Sequence, residues 1–530
     1  MTRCTTRPGL WAAVVAIALP AQLLGQVPAR PRQVDTYVVG QAQPPLEPGG
    51  TLVPMTVEQA IARALEHNLD IQSARLAPDI QEYAYDVARG AFSPTFSTTY
   101  GFNNATTQST SQLDGGARIV NQRQTLNGSL QQPLPWLGGR LTANFNNSRL
   151  ETDNSFTTRN PSFNSTLSFN YTQPLLAGLK MDNQRAAVAT QRIQTAITDL
   201  QVQTQIANIT DQVRQAYWGL RAAIEQIEIQ RRSLAEAVQM LAEDSIRVRL
   251  GRMVELDLLQ QEAQVAAAQQ ALLNAEIVWQ NQEFAFKRLL LAGTDDPLLS
   301  QTVNPTDQPQ LLEQEVDLQA AVQSALRQRT DIRQQRQQRD ITEVNLDVSR
   351  SNALPDLNLT AGYSLQGVGG NLYDRSGLGG EAQLVRPGDY MDALQAIGNR
   401  DAPTWNVQLQ ASYPIGTNPN RANLERARLQ LRQSDLALRS QELDVVTQVT
   451  TAGLAVRNTV LQGAAARRTR EAAERNADAE RLRFELGVST AFQMLSANNA
   501  MTSARLSELR AVINHLNAIA DFERVQRYGG

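Results

Sequence analysis

Between Asp182 and Leu250 the apolar residues follow a helical period without a break. They recur at steps of three and four, at Ile206, Ile209, Val213, Ala216, Leu220, Ile224 and Ile227, then at Leu234, Val238 and Leu241. This spacing predicts one helix with a single buried stripe, long enough to pack like a coiled coil. At ~1.5 Å per residue the helix spans roughly 100 Å. It is therefore either a rod between soluble partners or the wall of a long structure.

A second long helix is predicted directly after the first. Gly251 ends the first helix, as glycine commonly does at a helix C-terminus, and apolar positions resume from about 254 to 291. A short link between two long helices makes them an antiparallel pair. The predicted hairpin covers 182–291.

The segment before this hairpin combines short helices with strands. One helix is predicted from Thr56, a residue type that caps helices, and another over about 70–92, kinked at Pro78. Apolar and aromatic residues then alternate with polar ones, which predicts β-strands between about 95 and 173. The alternation leaves open whether an extra hairpin at about 125–148 belongs to the same sheet as the other strands.

The second half of the chain repeats the first. A shift of 261 residues aligns Pro94 with Pro355, and a shift of 236 residues aligns Gly251 with Gly487. Chance similarity between helical sequences would match scattered alanines and leucines, but it would not align these helix-ending residues as well. The chain is therefore internally duplicated.

The duplication sets the domain organisation. The first repeat covers 55–292, an irregular connecting segment covers 293–315, and the second repeat covers 316–527. Within the second repeat the alternation predicts strands at about 357–365 and 404–413, separated by a glycine-rich loop without a clear pattern. A second long helical hairpin is predicted over 420–527.

Residues before the first repeat have the features of an export signal. Arg3 and Arg7 precede an apolar run that ends at Leu24, so we interpret 1–25 as a secretory signal peptide. The following 26–54 is rich in proline and glycine and is predicted to be a disordered linker. No later stretch approaches the ~18 consecutive apolar residues expected of a transmembrane helix.

Composition argues against several classes of function. The net charge is −3, from 49 basic and 52 acidic residues, which does not suit a nucleic-acid surface. Cys4 is the only cysteine, so the processed chain has no disulfide. His67 and His515 are the only histidines, and neither lies in a cluster with ligand spacing. We therefore expect no enzyme activity, no metal site and no cofactor.

The strands are too few to form a stable domain alone, since each has one apolar face and one polar face. A secreted chain can resolve this by oligomerising into a closed barrel in the outer membrane, with lipid against the apolar face. We expect Leu359, Tyr363, Val407 and Leu409 to face lipid, and Asn358, Thr360, Asn406 and Gln408 to face the lumen. The candidates for aromatic girdles are Tyr100, Tyr171, Tyr363, Trp405 and Tyr413.

Several motifs recur in an order that resembles a known family. They are the opening helix from Thr56 to Asp70, the helix-to-strand junctions Ser93-Pro94 and Leu354-Pro355, the strand-to-helix junctions Gln173 to Leu176 and Tyr413 to Ile415, and the tip pairs Leu250-Gly251 and Leu486-Gly487. Together they resemble the TolC-like outer-membrane efflux protein family, over about 55–527.

This resemblance implies a mainly α-helical fold with a membrane β-barrel. In such a fold, a homotrimer forms a β-barrel in the outer membrane and an α-helical tunnel through the periplasm. The resemblance also implies export of small molecules or proteins, as an efflux or type I secretion duct, with a periplasmic adaptor and an inner-membrane pump. The alternative is a secreted coiled-coil scaffold or an adhesin-like interaction protein.

The resemblance further implies that the tunnel closes at the hairpin tips, which also contact the adaptor. Two acidic positions commonly ring the aperture after the second tip, and the corresponding residues here are Gln493 and Ser496. The matching positions of the first repeat are Asp257 and Gln260.

Asp257 is therefore the remaining candidate for a charged ring. The residues that correspond to its usual gating partners are Phe484 and Ser489, which offer neither a tyrosine hydroxyl nor a guanidinium. The alternative interpretation of Asp257 is a first-turn carboxylate favoured by the helix dipole.

Overall fold

The computed structural model describes residues 41–45, 51–110, 116–251, 253–311, 315–375, 377 and 380–529. The predicted signal peptide, 1–25, and most of the predicted linker, 26–54, lie outside these residues. Within the described residues there are nine α-helices and ten strands. The helices are α1 (Val57–His67), α2 (Leu69–Gly90), α3 (Asn183–Arg249), α4 (Glu255–Leu290), α5 (Leu318–Gln328), α6 (Thr330–Asn352), α7 (Tyr390–Asn399), α8 (Pro419–Glu485) and α9 (Ala491–Arg527).

The strands form three separate sheets. They are β1 (Leu52–Met55), β2 (Thr95–Gln108), β3 (Arg118–Pro133), β4 (Arg140–Thr152), β5 (Ser162–Pro174), β6 (Thr302–Pro305), β7 (Asp356–Gly369), β8 (Leu372–Arg375), β9 (Ala382–Arg386) and β10 (Pro403–Ser412). The main sheet has six strands in the order β10-β7-β5-β4-β3-β2, and two further pairs are β1-β6 and β8-β9.

Local sequence explains where the helices begin. Thr56 forms a capping box with Gln59 at the start of α1, and Asp182 accepts a hydrogen bond from the Arg185 N–H at the start of α3.

The long helices α3 and α8 are both 67 residues, or roughly 100 Å. Pro78 lies inside α2, and the helix continues through it.

The two repeats pack side by side through α3. This helix contacts α2 and α4 of its own repeat and α6 and α9 of the other, while α8 contacts α6 and α9. The described chain is therefore four helices wide at any level along α3. One core surrounds Tyr217, Ile224 and Phe286 in the first repeat, and a second surrounds Val449, Val456 and Phe522 in the second.

The extra hairpin predicted at about 125–148 belongs to the main sheet. It is formed by β3 and β4, which lie between β2 and β5 and pair with both in an antiparallel register. Its turn lies beside the helices, because Gln173 donates a hydrogen bond to the Leu137 carbonyl at 2.7 Å and Gln132 donates to the Phe92 carbonyl at 2.7 Å. The first repeat therefore contributes four strands to this sheet and the second contributes two.

The main sheet has one apolar face and one polar face. A single row across all six strands reads Phe96, Leu130, Ala143, Phe169, Tyr363 and Trp405. The adjacent row on the opposite face reads Ser97, Ser129, Asn144, Ser168, Ser364 and Thr404. The apolar row is open at the edges of the sheet, where Phe96 is 69% exposed and Trp405 is 75% exposed.

The loop between β7 and β10, for which the sequence showed no pattern, contains β8, β9 and α7. Helix α7 packs on β7 and β5 at the end of the sheet away from the long helices. A side chain at Gly367 would meet the Ala393 carbonyl, so glycine permits this close approach. Tyr390 donates a hydrogen bond to Asn147 at 2.8 Å and thereby ties α7 to β4.

The prediction of disorder is wrong for the end of the 26–54 segment. Leu52–Met55 forms β1, which pairs in parallel with Thr302–Pro305, so the connecting segment 293–315 is also partly ordered. Buried Arg221 donates to the carbonyls of Ala42 and Pro305, both at 3.0 Å. These partners are far apart in sequence, and a strand of four residues has no detectable period of its own.

Candidate functional site

The two hairpin tips have the same turn. Helix α3 ends at Arg249 with Leu250 as its C-cap, and Gly251 follows with φ of 68°. Helix α8 ends at Glu485 with Leu486 as its C-cap, and Gly487 follows with φ of 75°. Each glycine N–H donates back into the helix end, to the carbonyl of Val248 at 2.9 Å and of Phe484 at 3.0 Å. The left-handed φ explains why glycine stands at both turns.

Both tips expose apolar side chains. The exposed residues are Leu250, Val254, Leu256 and Leu259 at the first tip, and Leu482, Leu486, Val488 and Phe492 at the second. Contiguous exposed apolar residues mark interaction surfaces in soluble regions of proteins. Both tips therefore combine a glycine turn with exposed apolar side chains.

Asp257 lies in the first turn of α4, close to the end of α3. Its N–H donates to the Val254 carbonyl at 3.1 Å, and its side chain is partly exposed. Burial raises the pKa of Asp244 on α3 above its ordinary value, Arg247 opposes this, and the charges of Glu243 and Asp257 raise it further. Asp257 therefore acts electrostatically on a buried carboxyl across the hairpin.

Arg247 connects this acidic pair to the second hairpin. Its guanidinium lies 3.2 Å from the Asp244 carboxylate and 4.6 Å from the centre of the Phe484 ring, so it contacts helices of both repeats. The positions that correspond to the family's gating partners carry no guanidinium, and Arg247 brings one from a different position. An arginine three residues after Asp244 was visible in the sequence, whereas its contact with Phe484 was not.

The second tip uses its polar residues for capping. Gln493 forms a capping box with Thr490, and its side-chain oxygen accepts hydrogen bonds from the Thr490 N–H at 3.1 Å and the Ser489 hydroxyl at 3.0 Å. Ser489 also donates to Glu480. Gln260 and Ser496 are exposed further along their helices. Gln493 thus has a structural role as part of the cap of α9.

Three ion pairs join α3 to α9 behind the tips. They are Arg214–Glu523 at 2.9 Å, Arg524–Asp211 at 3.4 Å and Arg505–Glu236 at 3.9 Å. Burial raises the pKa of Asp211 and of Glu236, although the neighbouring arginines oppose it. The contact between α3 and α9 is therefore partly electrostatic.

The candidate girdle aromatics that belong to strands lie on the apolar face of the main sheet, but at different distances from the long helices. Tyr363 lies directly opposite Trp405 on the neighbouring strand. Tyr171 is nearer the long helices, opposite Ala361, and Tyr100 is farther from them, opposite Leu126. Tyr413 lies beyond the end of β10. Phe96 and Phe169 share the row of Tyr363 and were not proposed as girdle residues.

Across the described chain, no group of three or more His, Cys, Asp or Glu residues is placed to hold a metal ion. None of the described helices is both long and apolar enough to span a bilayer.

The fold and these surfaces define a duplicated channel protein, in which a sheet with one apolar face continues into long helical hairpins. The sequence model of one family, described as Outer membrane efflux protein, matches residues 60–290 and 321–523, one segment in each repeat. The chain belongs to this family. It is an export channel of the outer membrane.

Solved structures of outer-membrane channels share the fold at low sequence identity. The Campylobacter jejuni channel CmeC is 14% identical, with a TM-score of 0.63 over 89% of this chain and 85% of that one. The Vibrio cholerae protein VceC is 12% identical, with a TM-score of 0.62 over 89% and 96%. The open-state Neisseria gonorrhoeae channel MtrE is 18% identical, with a TM-score of 0.57 over 92% and 90%. No curated protein matches the chain in sequence.

Proposed function

We propose that three copies of this chain form one tunnel that serves as the passive exit duct of a tripartite efflux or type I secretion system. The observation that carries the proposal is the six-stranded sheet, which exposes an apolar face and has two unpaired edges. In water such a sheet would aggregate, whereas lipid accepts its apolar face and neighbouring copies satisfy its edges. The family assignment gives no support to the alternative of a secreted scaffold.

The partners proposed for the tunnel are a periplasmic adaptor and an inner-membrane pump. The adaptor would contact the hairpin tips, which carry exposed Leu250 and Leu486 beside the glycine turns. Apolar patches of this kind favour a protein partner, since long charged helix surfaces surround them. The tips lie at the end of the helices farthest from the sheet, where a periplasmic protein can reach them.

The same end is the proposed constriction. Asp257 would contribute one carboxylate per copy, and Arg247 would hold the two hairpins of each copy together through its contacts with Asp244 and Phe484. An aperture built this way is less acidic than is usual for the family, because Gln493 and Ser496 stand where carboxylates are common. Opening would separate Arg247 from Phe484.

In-cell photo-crosslinking tests the proposal. A photoreactive amino acid at Leu250 or Leu486 is expected to form a product that mass spectrometry identifies as this chain joined to a periplasmic adaptor. The matched control is Leu461, which is 69% exposed on α8 but lies roughly 37 Å from the tip at 1.5 Å per residue. It should not form that product.

The same cells provide the oligomeric state. Detergent extracts of the outer membrane should contain particles with the mass of three subunits. A soluble monomer in the periplasm or medium would refute the proposal, and adaptor products formed equally at Leu461 would refute docking at the tips.

A further inference from the structure

The two repeats contribute unequally to the main sheet. The second repeat supplies one pair of strands, β7 and β10, while the first supplies β2 and β5 with the β3–β4 hairpin inserted between them. The inserted strands are as long as their neighbours and pair with them along almost their full length. The chain therefore offers six membrane-length strands where the duplication alone would provide four.

The edges of this sheet are suited to a second copy of the same chain. Strand β2 leads away from the long helices, because it follows α2, whereas β10 leads back towards them, because it precedes α8. Strands alternate in direction across the sheet, so an even number leaves edges that point in opposite directions. The β2 edge of one copy and the β10 edge of the next can then pair in the antiparallel manner of the rest of the sheet.

We propose that this pairing closes an 18-stranded barrel in the outer membrane, six strands from each of three copies. The proposal rests on the trimer proposed above. The inserted β3–β4 hairpin is part of the barrel wall, and it makes the barrel half as large again in strand number as one built from two strands per repeat.

The width of the helical part supports this number. Four helices side by side at about 9–10 Å occupy roughly 36–40 Å of wall per copy. Six strands spaced ~4.8 Å apart and tilted by about 40° occupy roughly 38 Å, whereas four strands would occupy only about 25 Å. The six-stranded sheet therefore continues the helical wall without narrowing.

The size of the lumen follows from the same geometry. A wall of three such sheets has a backbone diameter of roughly 36 Å, and about 5 Å of side chain on each side leaves a bore of roughly 26 Å. Barrels of 16–18 strands enclose an aqueous channel. The membrane part of this channel should pass bulky solutes, so selection by size is left to the hairpin tips.

Cysteine pairs test the barrel, since Cys4 in the predicted signal peptide is the only native cysteine. One set places a cysteine on the lumen face of β2, at Ser97, Thr99 or Asn103, and a second on the lumen face of β10, at Asn406, Gln408 or Gln410. Oxidation should join copies into ladders of up to three chains, and the productive pairs should share one register. Pairs on opposite faces, such as Ser97 with Val407, are the controls.

A second set of pairs asks whether the inserted hairpin lies in the wall. Asn144 and Ser168 are direct neighbours on β4 and β5, so cysteines there should form a disulfide within one chain, identified in proteolytic digests by mass spectrometry. Cysteines at Ser97 and Ser168 should not, because β3 and β4 separate them. A hairpin outside the barrel would reverse these two results.

The outcomes separate this inference from the proposed function. Ladders together with the Asn144–Ser168 disulfide support the 18-stranded barrel. A trimer by mass that forms the Ser97–Ser168 disulfide instead, or that forms no ladder, overturns the barrel and leaves the export function standing. A soluble monomer overturns both.

Discussion

At the middle of the long helices α3 and α8, the two repeats pack against neighbouring segments through different side-chain contacts. In the first repeat Tyr217 is buried, and its hydroxyl donates to Asp307 at 2.7 Å and accepts from the Asp307 N–H at 3.1 Å. Burial raises the pKa of Tyr217 above its ordinary value. The equivalent residue of the second repeat, 236 positions later, is Gly453.

Gly453 allows direct contact in place of a hydrogen bond. A Cβ atom at position 453 would clash with the Leu318 side chain, and it would lie 3.2 Å from the Phe522 side chain and 3.3 Å from the Val316 side chain. Val316 and the start of α5 therefore lie against the bare surface of α8, whereas the tyrosine on α3 also contacts the Met55 carbonyl just before α1, at 3.0 Å. Duplication preserved the position of these contacts and changed their chemistry.

The junctions between the short helices differ in the same way. Asn68 caps α2, and its amide donates to the Leu289 carbonyl at 2.9 Å. Its counterpart 261 positions later is Arg329, which donates to the equivalent carbonyl, that of Val525, at 3.2 Å. Arg329 also binds Asp331 through two hydrogen bonds of 3.0 and 2.7 Å.

We expect the charged version of this junction to be more sensitive to the loss of its capping side chain. Arg329 is almost fully buried, with 1% of its side chain exposed against 22% for Asp331. Although burial opposes ionisation, the hydrogen bonds and charge of Arg329 hold the pKa of Asp331 below its ordinary value. A buried charge that loses its partner is costly, whereas a lost cap is replaced in part by water.

The largest difference is therefore expected at the junctions. Arg329→Ala should lower the free energy of unfolding by roughly 3–5 kcal/mol, because it leaves Asp331 without its partner and opens a cavity. Asn68→Ala should cost about 1–2 kcal/mol, as for the loss of an N-cap. Chemical unfolding of the purified channel, followed by circular dichroism of its helices, measures both.

Arg329→Asn sharpens the comparison, since it installs the residue of the first repeat. It should cost less than Arg329→Ala, because asparagine can still donate to the Val525 carbonyl. Equal costs for Arg329→Ala and Asn68→Ala would contradict the view that the two junctions differ in strength.

Smaller effects, opposite in sign to each other, are expected when two helix glycines are replaced by alanine. Gly453→Ala should destabilise by about 1 kcal/mol net, because the contacts with Leu318, Val316 and Phe522 outweigh the gain in helix propensity. Gly219→Ala, on α3, should stabilise by about 0.5–1 kcal/mol, because it meets only the end of the Gln282 side chain at 3.3 Å. Thermal unfolding of the two variants compares them, and a shift of the same sign in both would break the contrast.

The smallest effect concerns the tips, where the repeats share a backbone turn but not their polar residues. Asp257→Asn is expected to change the single-channel conductance or the cation preference in planar bilayers, since it removes a carboxylate next to Asp244 and Arg247. Gln493→Ala should change both properties little, because its side chain caps α9. Unchanged conductance and selectivity in Asp257→Asn would leave Asp257 as a first-turn residue only.

Local signals in the sequence were sufficient for the class of fold. The helical period of α3 and α8, the alternation in β7 and β10, and the glycine turns at Gly251 and Gly487 depend on neighbours within one or two turns of chain. The internal duplication was visible for the same reason, because each repeat carries those signals in the same order. The fold class followed from them, while the family and the cellular location followed from the resemblance carried by the order of the motifs.

Only the tertiary structure decided which distant segments meet. Neither period nor spacing could place the β3–β4 hairpin between β2 and β5, pair Leu52–Met55 with Thr302–Pro305, or bring Arg247 of one hairpin onto Phe484 of the other. Each of these contacts joins residues far apart in the chain, and its formation depends on burial, charge and free strand edges that exist only once the helices have packed. The sequence thus encodes the elements locally, while the width of the sheet and the contacts at the tips arise from the assembly of those elements.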